Sequence, residues 1–138
     1  MIGRQFAEEL TQKVKDAKSE IKILIYEWRW YRNEIGTSIQ KFNYEVIKAR
    51  QRGVAVRVIV NKDWICNFLK QQKIEVKKIN SKRVMHVKMV MVDNKYLFLG
   101  SHNLTKNAFE LNHEVSVLIE DQDAIEKCNN FFQTAWAL

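Results

Sequence analysis

The chain has no proline, only four glycines and only two cysteines in 138 residues. No X–Pro bond fixes a kink, and no Pro-, Gly- or Ser-rich tract is present to act as an interdomain linker. There is also no internal repeat and no low-complexity segment, so residues 1–138 read as a single domain. Cys66 and Cys128 stand far apart and form no CxxC pair. That spacing argues against a disulfide scaffold or a cysteine zinc site and predicts two buried thiols in a reducing compartment. No apolar run reaches the length of a membrane span. The first nine residues lack the apolar stretch of a signal peptide, so the expected location is the cytoplasm.

What the chain does have is positive charge. Lys and Arg number 23 against 16 Asp and Glu, a net charge of +7. That balance favours a polyanionic partner, nucleic acid first and a peripheral anionic membrane surface second. Plain solubility is the alternative explanation. Hydrophobic residues make up 46% of the chain, enough for a core.

Periodicity gives an alternating pattern. Apolar residues at Phe6, Leu10, Val14 and Ala17 predict a helix over 6–18. A β-branched apolar run predicts a buried strand over 21–26. Thr37 or Ser38 can cap a helix that Gly53 ends, and a strand follows over 54–60. Asp63 is expected to cap a short helix to residue 71, before a strand over 74–79. Two strands, 84–92 and 96–99, flank a tight turn at Asp93-Asn94-Lys95. A short helix over 103–111, a strand over 115–119 and a closing helix over 121–137 complete the series. The closing helix is expected to bury Ala124, Ile125, Cys128, Phe131, Phe132 and Ala135. The expected fold is an α/β sandwich with helices on both faces of a central sheet. The sheet should be mixed, because the turn at Asp93 forces an antiparallel pair.

The most specific signal lies in residues 86–103, which read H-x-K-x4-D-x6-G-S-x-N. Six fixed positions at set spacing arise by chance in roughly a few chains per million at equal residue use. His and Lys two apart on a strand point to the same face. One face therefore carries an imidazole able to attack or move a proton, beside a cation able to hold a phosphate. His86 is the candidate nucleophile. Lys88 would neutralise charge growing on a phosphate oxygen; its neighbours Val87, Met89, Val90, Met91 and Val92 are apolar, which argues against a merely solvated lysine. Ser101 and Asn103 can donate to the same phosphate, helped by backbone N–H groups at a helix start, or can simply cap that helix. Gly100 permits close backbone approach. Asp93 reads as a brace for loops around the site. His102 should point away from the phosphate and His113 is out of phase, so no metal and no cofactor is expected.

This pattern resembles the HKD motif of the phospholipase D superfamily, most closely its small single-motif endonucleases. The likeness extends to I-K-I-L-I-Y-E-W at 21–28, to the segment 46–63 and to N-H-E-V-S-V-L-I-E-D at 112–121. It implies a phospholipase D-like fold and a covalent phosphohistidine formed on His86. It also implies that Glu114, after the G-S-x-N element, holds an imidazole nitrogen and fixes its tautomer. Larger relatives carry two motifs per chain. A chain with one should therefore form a homodimer, each copy lending one His86, Lys88 and Asn103 to a shared site.

Around the motif, residues 26–32 interleave aromatics with Arg29 and Arg32, which suits base stacking, an interfacial membrane belt or plain packing. Lys77, Lys78, Lys82 and Arg83 precede the motif and can line a phosphate track. The resulting expectation is a metal-independent phosphodiesterase, an endonuclease on DNA or RNA. The alternatives are a phospholipase D-type lipid phosphodiesterase acting on cardiolipin or phosphatidyl lipids, and a catalytically inactive nucleic-acid-binding module.

Overall fold

A computed structural model describes residues 1–2, 4–79 and 82–138. Among these residues the order is α1 (Arg4–Lys15), β1 (Glu20–Ile25), α2 (Ser38–Gln51), β2 (Ala55–Val60), α3 (Cys66–Gln71), β3 (Glu75–Lys78), β4 (Lys88–Val92), β5 (Tyr96–Gly100), a π-helical turn (Asn107–Leu111), β6 (Ser116–Ile119) and α4 (Gln122–Trp136). One sheet runs β3-β2-β1-β4-β5-β6. Its β1, β2 and β3 are parallel, while β4 is antiparallel to β1 and to β5, and β5 is antiparallel to β6. The sheet is therefore mixed, as the turn at Asp93 predicts.

Strand alternation sorts the core into two layers. Ile21, Ile23 and Ile25 of β1 and Val90 and Val92 of β4 pack beneath α1, α2 and α3. Leu24 of β1 and Met89 and Met91 of β4 face the other way, against Ile125, Phe132 and Ala135 of α4. Caps set the helix starts: the Thr37 hydroxyl accepts from Gln40 N at 3.4 Å, and the Asp121 carboxylate accepts from Ala124 N at 3.0 Å. Lys22 is buried on the α4 side, where its ammonium donates to the Asn129 amide oxygen and lies 3.3 Å from Glu20.

Several expectations need correction. Asp63 does not cap α3 with its side chain. Its backbone carbonyl accepts from Cys66 N, and the cap position is Ile65. The strand expected from residue 84 pairs only from Lys88, so His86 sits on the extended segment entering β4. The short helix starts at Asn107 and not at Asn103, because the Leu104 carbonyl accepts from Arg29 N at 3.1 Å and is not free to accept from a residue four positions on. Phe131 is 52% exposed, since α4 turns only the Ile125–Phe132–Ala135 stripe to the sheet. Cys128 is only half-buried, whereas Cys66 is buried.

The site end of the sheet follows from this order. The carboxyl ends of β1 and β2, the start of β4, the end of β5 and the start of β6 share one edge, with Ile25 opposite Lys88 and Gly100 opposite Ser116. The loops at 26–32, 61–65, 101–106 and 112–115 therefore meet there.

Candidate active site

Lys88 opens β4 with the same parity as Val90 and Val92, so its stem lies on the face covered by α1, α2 and α3, at the end of the sheet. Its ammonium lies 3.2 Å from His86 Nδ1 and donates to the His86 carbonyl at 3.1 Å. Burial pulls the Lys88 ammonium below the ordinary lysine range, and Glu114 nearby opposes that pull. His86 is exposed, with its ring 5.0 Å from that of Tyr26. The segment that carries His86 is pinned to the loop after β2, where Met85 N donates to Asn61 Oδ1 at 3.1 Å.

Asn103 is held by the loop after β1. Its Oδ1 accepts from Glu27 N at 3.1 Å, and the Trp28–Leu104 bridge clamps the two segments together. With the oxygen engaged, the Nδ2 end offers two donors to an anion. Ser101 is exposed at the end of β5, where its hydroxyl accepts from Val115 N at 3.0 Å and donates to the Val115 carbonyl at 3.2 Å. In this arrangement the hydroxyl proton stays on the protein. Glu114 accepts from Asn112 Nδ2 at 3.3 Å. Asn103, Glu114, Arg29, Glu27, Lys106 and Asn112 border one open cleft of about 560 Å3.

The structure thus brings His86 beside Lys88, gathers Asn103, Glu114 and Arg29 around one cleft, and sets Glu114 near enough to act on the Lys88 charge. Lys82 and Arg83 are exposed on the segment that leads to His86. Lys77 is drawn off by α4, where it donates to the Trp136 carbonyl. Asp93 is a correction. It braces the molecule, but five residues from Lys88 and so about 17 Å along the strand, at the opposite sheet edge. There its carboxylate accepts from the N–H groups of Lys18, Ser19 and Glu20 and from the Ser19 hydroxyl, at 2.8–3.0 Å. Burial opposes its ionisation, yet these bonds hold its pKa below the ordinary 3.8. His102 is buried on the Phe6 ring, with 3.9 Å between ring centres, and its Nδ1 lies 2.7 Å from Ser116 Oγ. Burial keeps its pKa low, against the pull of Glu114. Among the described residues no group of three or more His, Cys, Asp or Glu is placed to hold a metal ion. None of their helices is long and apolar enough to cross a membrane.

Sequence reasoning missed Glu27 and Trp64. Glu27 supplies the N–H that fixes Asn103. Trp64 stacks against Arg29, with 4.0 Å from the guanidinium carbon to the ring centre. The only sequence signal for Trp64 was an apolar aromatic in a polar loop.

Three comparisons relate the chain to known proteins. The family described as "Cardiolipin synthase, PLD-like domain" matches residues 10–136. The chain belongs to this family, and through it to the phospholipase D superfamily. Among curated relatives, a phospholipase D of Rickettsia prowazekii is 30% identical over 123 residues, 85% of this chain and 56% of that protein. The mitochondrial cardiolipin hydrolase of Canis lupus familiaris is 33% identical over 92 residues, 62% of this chain and 36% of that protein. The chain thus spans about a third to just over half of the curated relatives it matches. In fold it resembles Nuc from Salmonella typhimurium, a phospholipase D family member, with a TM-score of 0.83, 20% identity and coverage of 99% and 93% of the two chains. It also resembles NucT from Helicobacter pylori, with a TM-score of 0.81, 24% identity and coverage of 97% and 89%.

Proposed function

We propose that the chain is a metal-independent phosphodiesterase that cleaves DNA or RNA as a homodimer. The observation that carries this reading is the exposed His86 imidazole 3.2 Å from the Lys88 ammonium, at the same end of the sheet as the loop that carries Asn103. Lys88 and Asn103 supply fixed positive and hydrogen-bonding groups for the phosphate oxygens, the work that a metal does in other phosphodiesterases.

The chemistry needs a nucleophile and an acid. One His86 attacks phosphorus, so a P–N bond forms as the P–O bond breaks. The leaving oxygen takes a proton from the imidazolium of the second copy's His86. Water then attacks the phosphohistidine, gives its proton back to that second imidazole, and breaks the P–N bond. His102 cannot be the second group, because it is buried against Phe6. In the free chain the Lys88 ammonium donates to His86 Nδ1, which leaves the proton of a neutral ring on Nε2. Attack by Nε2 requires the other tautomer. A bound phosphate that draws Lys88 away, with the Nδ1–H then donating to the Glu114 carboxylate, would provide it.

The net charge of +7 and the cations around the cleft favour nucleic acid. The second reading is a lipid phosphodiesterase, favoured by the cardiolipin hydrolase relative at 33% identity. One assay separates them: single- and double-stranded DNA, RNA and cardiolipin vesicles are each incubated with protein in excess chelator. Cleavage of nucleic acid under chelation is expected. Release of phosphatidic acid from vesicles with intact oligonucleotides would establish the lipid reading. Activity that is lost on chelation and restored by a divalent ion would overturn the mechanism.

A further inference from the structure

From the His86–Lys88 pair leads a run of alternating aromatic rings and cations, of which the cleavage chemistry uses only Lys88. The Lys88 ammonium sits 5.6 Å from the centre of the Tyr26 ring, and Lys62 sits 5.7 Å from the same ring. Lys62 is also 5.8 Å from the Trp64 ring, and the Arg29 guanidinium carbon is 4.0 Å from it. Trp64 is 55% exposed, although an indole is among the side chains most strongly driven out of water. Two backbone bonds hold the run at the sheet edge: Asn61 N to the Ile25 carbonyl at 3.2 Å and Lys62 N to the Tyr26 carbonyl at 3.1 Å. Trp64 is therefore a ring presented to solvent by a loop that β1 ties down.

From this placement we infer that Trp64, with Arg29 and Lys62, is a stacking platform for one unpaired nucleobase beside the phosphate held at Lys88. The inference rests on the nucleic-acid reading above and names the form of that substrate. The platform presents a π face and two cations. A base within a duplex shows only its edges to a protein, since its faces are covered by its neighbours. A base in a single strand has a face to offer, and stacking on an aromatic ring tolerates any base. Arg29 lies against one face of the ring, 4.0 Å from its centre, so the base would stack on the opposite face, with Arg29 and Lys62 close enough to meet the strand's phosphates on either side of it. The sugar–phosphate chain then leads past Tyr26 to Lys88 and His86. Trp64 touches no reacting atom; it positions the strand.

The test uses the full chain carrying His86→Ala, so that binding is read without cleavage. Affinities are measured for a short single-stranded oligonucleotide, for the same strand with its bases removed, for the matching duplex and for cardiolipin vesicles. Trp64→Ala in this background should weaken the base-bearing single strand by about 5- to 100-fold, the usual worth of one stacked base. It should change the abasic strand and the duplex by less than about 2-fold, while Trp64→Phe keeps most of the affinity. Equal loss on abasic and base-bearing strands, or no loss on either, overturns the platform. Loss of vesicle binding alone overturns it in favour of an interfacial anchor. Tight oligonucleotide binding that ignores Trp64 sinks only this inference. Absence of all oligonucleotide binding by the Trp64-intact protein sinks the nucleic-acid reading with it. Because Trp64 is half exposed, the variant should melt like its parent, and circular dichroism checks that the fold is retained.

Discussion

At the scale of single residues, His86, Lys88 and Glu114 have separable roles that kinetics can distinguish. His86→Ala should abolish turnover and leave substrate binding, as read by a cleavage assay beside an equilibrium binding assay. Lys88→Ala should cut the rate by at least ~100-fold, the typical loss for one donor to a transition-state oxyanion. Glu114→Gln keeps the size of the side chain and removes its charge. Replacing an orienting carboxylate costs up to ~10,000-fold in serine proteases. A smaller loss is expected here, because Lys88 and Asn103 remain as clamps. Wild-type turnover in Glu114→Gln at neutral pH would remove Glu114 from the site. Asp93 is a stability residue whose effect depends on pH. Its pKa in the fold lies below 3.8, so its contribution is complete above that value and is lost as pH falls through the folded pKa. Asp93→Asn tolerates the left-handed backbone at this position, where φ is 56°. The variant should therefore lose about 1–2 kcal/mol at neutral pH, the lower part of the range for hydrogen bonds to a charged group, because the turn is half exposed. The gap from wild type should close in acid, and urea titrations at several pH values measure it.

At the scale of elements, the site depends on how closely β5 and β6 approach. Gly100 ends β5 opposite Ser116, and a Cβ there would overlap the Ser116 side chain, its backbone and the Val115 carbonyl. Gly100→Ala should therefore separate the strand ends and destabilise the fold by about 1–3 kcal/mol. The same shift would move Ser101, Asn103 and Glu114 relative to Lys88. A lower melting temperature with a larger fractional loss of turnover is the expected pair of results. A variant that melts like wild type would show that the strands part freely. The interval between β5 and the π-helical turn is also an element-scale feature. Because Leu104 is bridged to Trp28, residues 101–106 form a strap across the loop after β1 instead of a helix start. Asn103 is consequently fixed by Glu27 and not by a helix cap.

At the scale of the whole molecule, the single H-x-K pair leaves the proposed reaction one imidazole short. The expected particle is a dimer of twice the 16.4 kDa chain mass, measured by light scattering. A monomer whose cleavage rate is first order in protein would refute the shared site. Dissociation on dilution should lower specific activity, since each half-site would lose its acid.

The sequence by itself determined what depends on spacing along the chain. Apolar runs set strands buried on both faces with helices on either side, and the two-residue offset of His86 and Lys88 set them on one face, where they meet at 3.2 Å. Backbone geometry fixes such neighbours within one turn or one pleat, so they are legible before folding. The tight turn at Asp93 likewise required an antiparallel β4–β5 pair. Only the tertiary structure decided which loops meet. The strand order β3-β2-β1-β4-β5-β6 is what places Glu27 beside Asn103, Trp64 beside Arg29, and Asp93 beside residues 18–20 at the far edge. It also decided that α4 leaves Phe131 in solvent and that Lys22 is buried against Asn129. These contacts join residues 35 to 107 positions apart or depend on how one helix is rotated over the sheet. No local periodicity encodes them, because they follow from packing whole layers together.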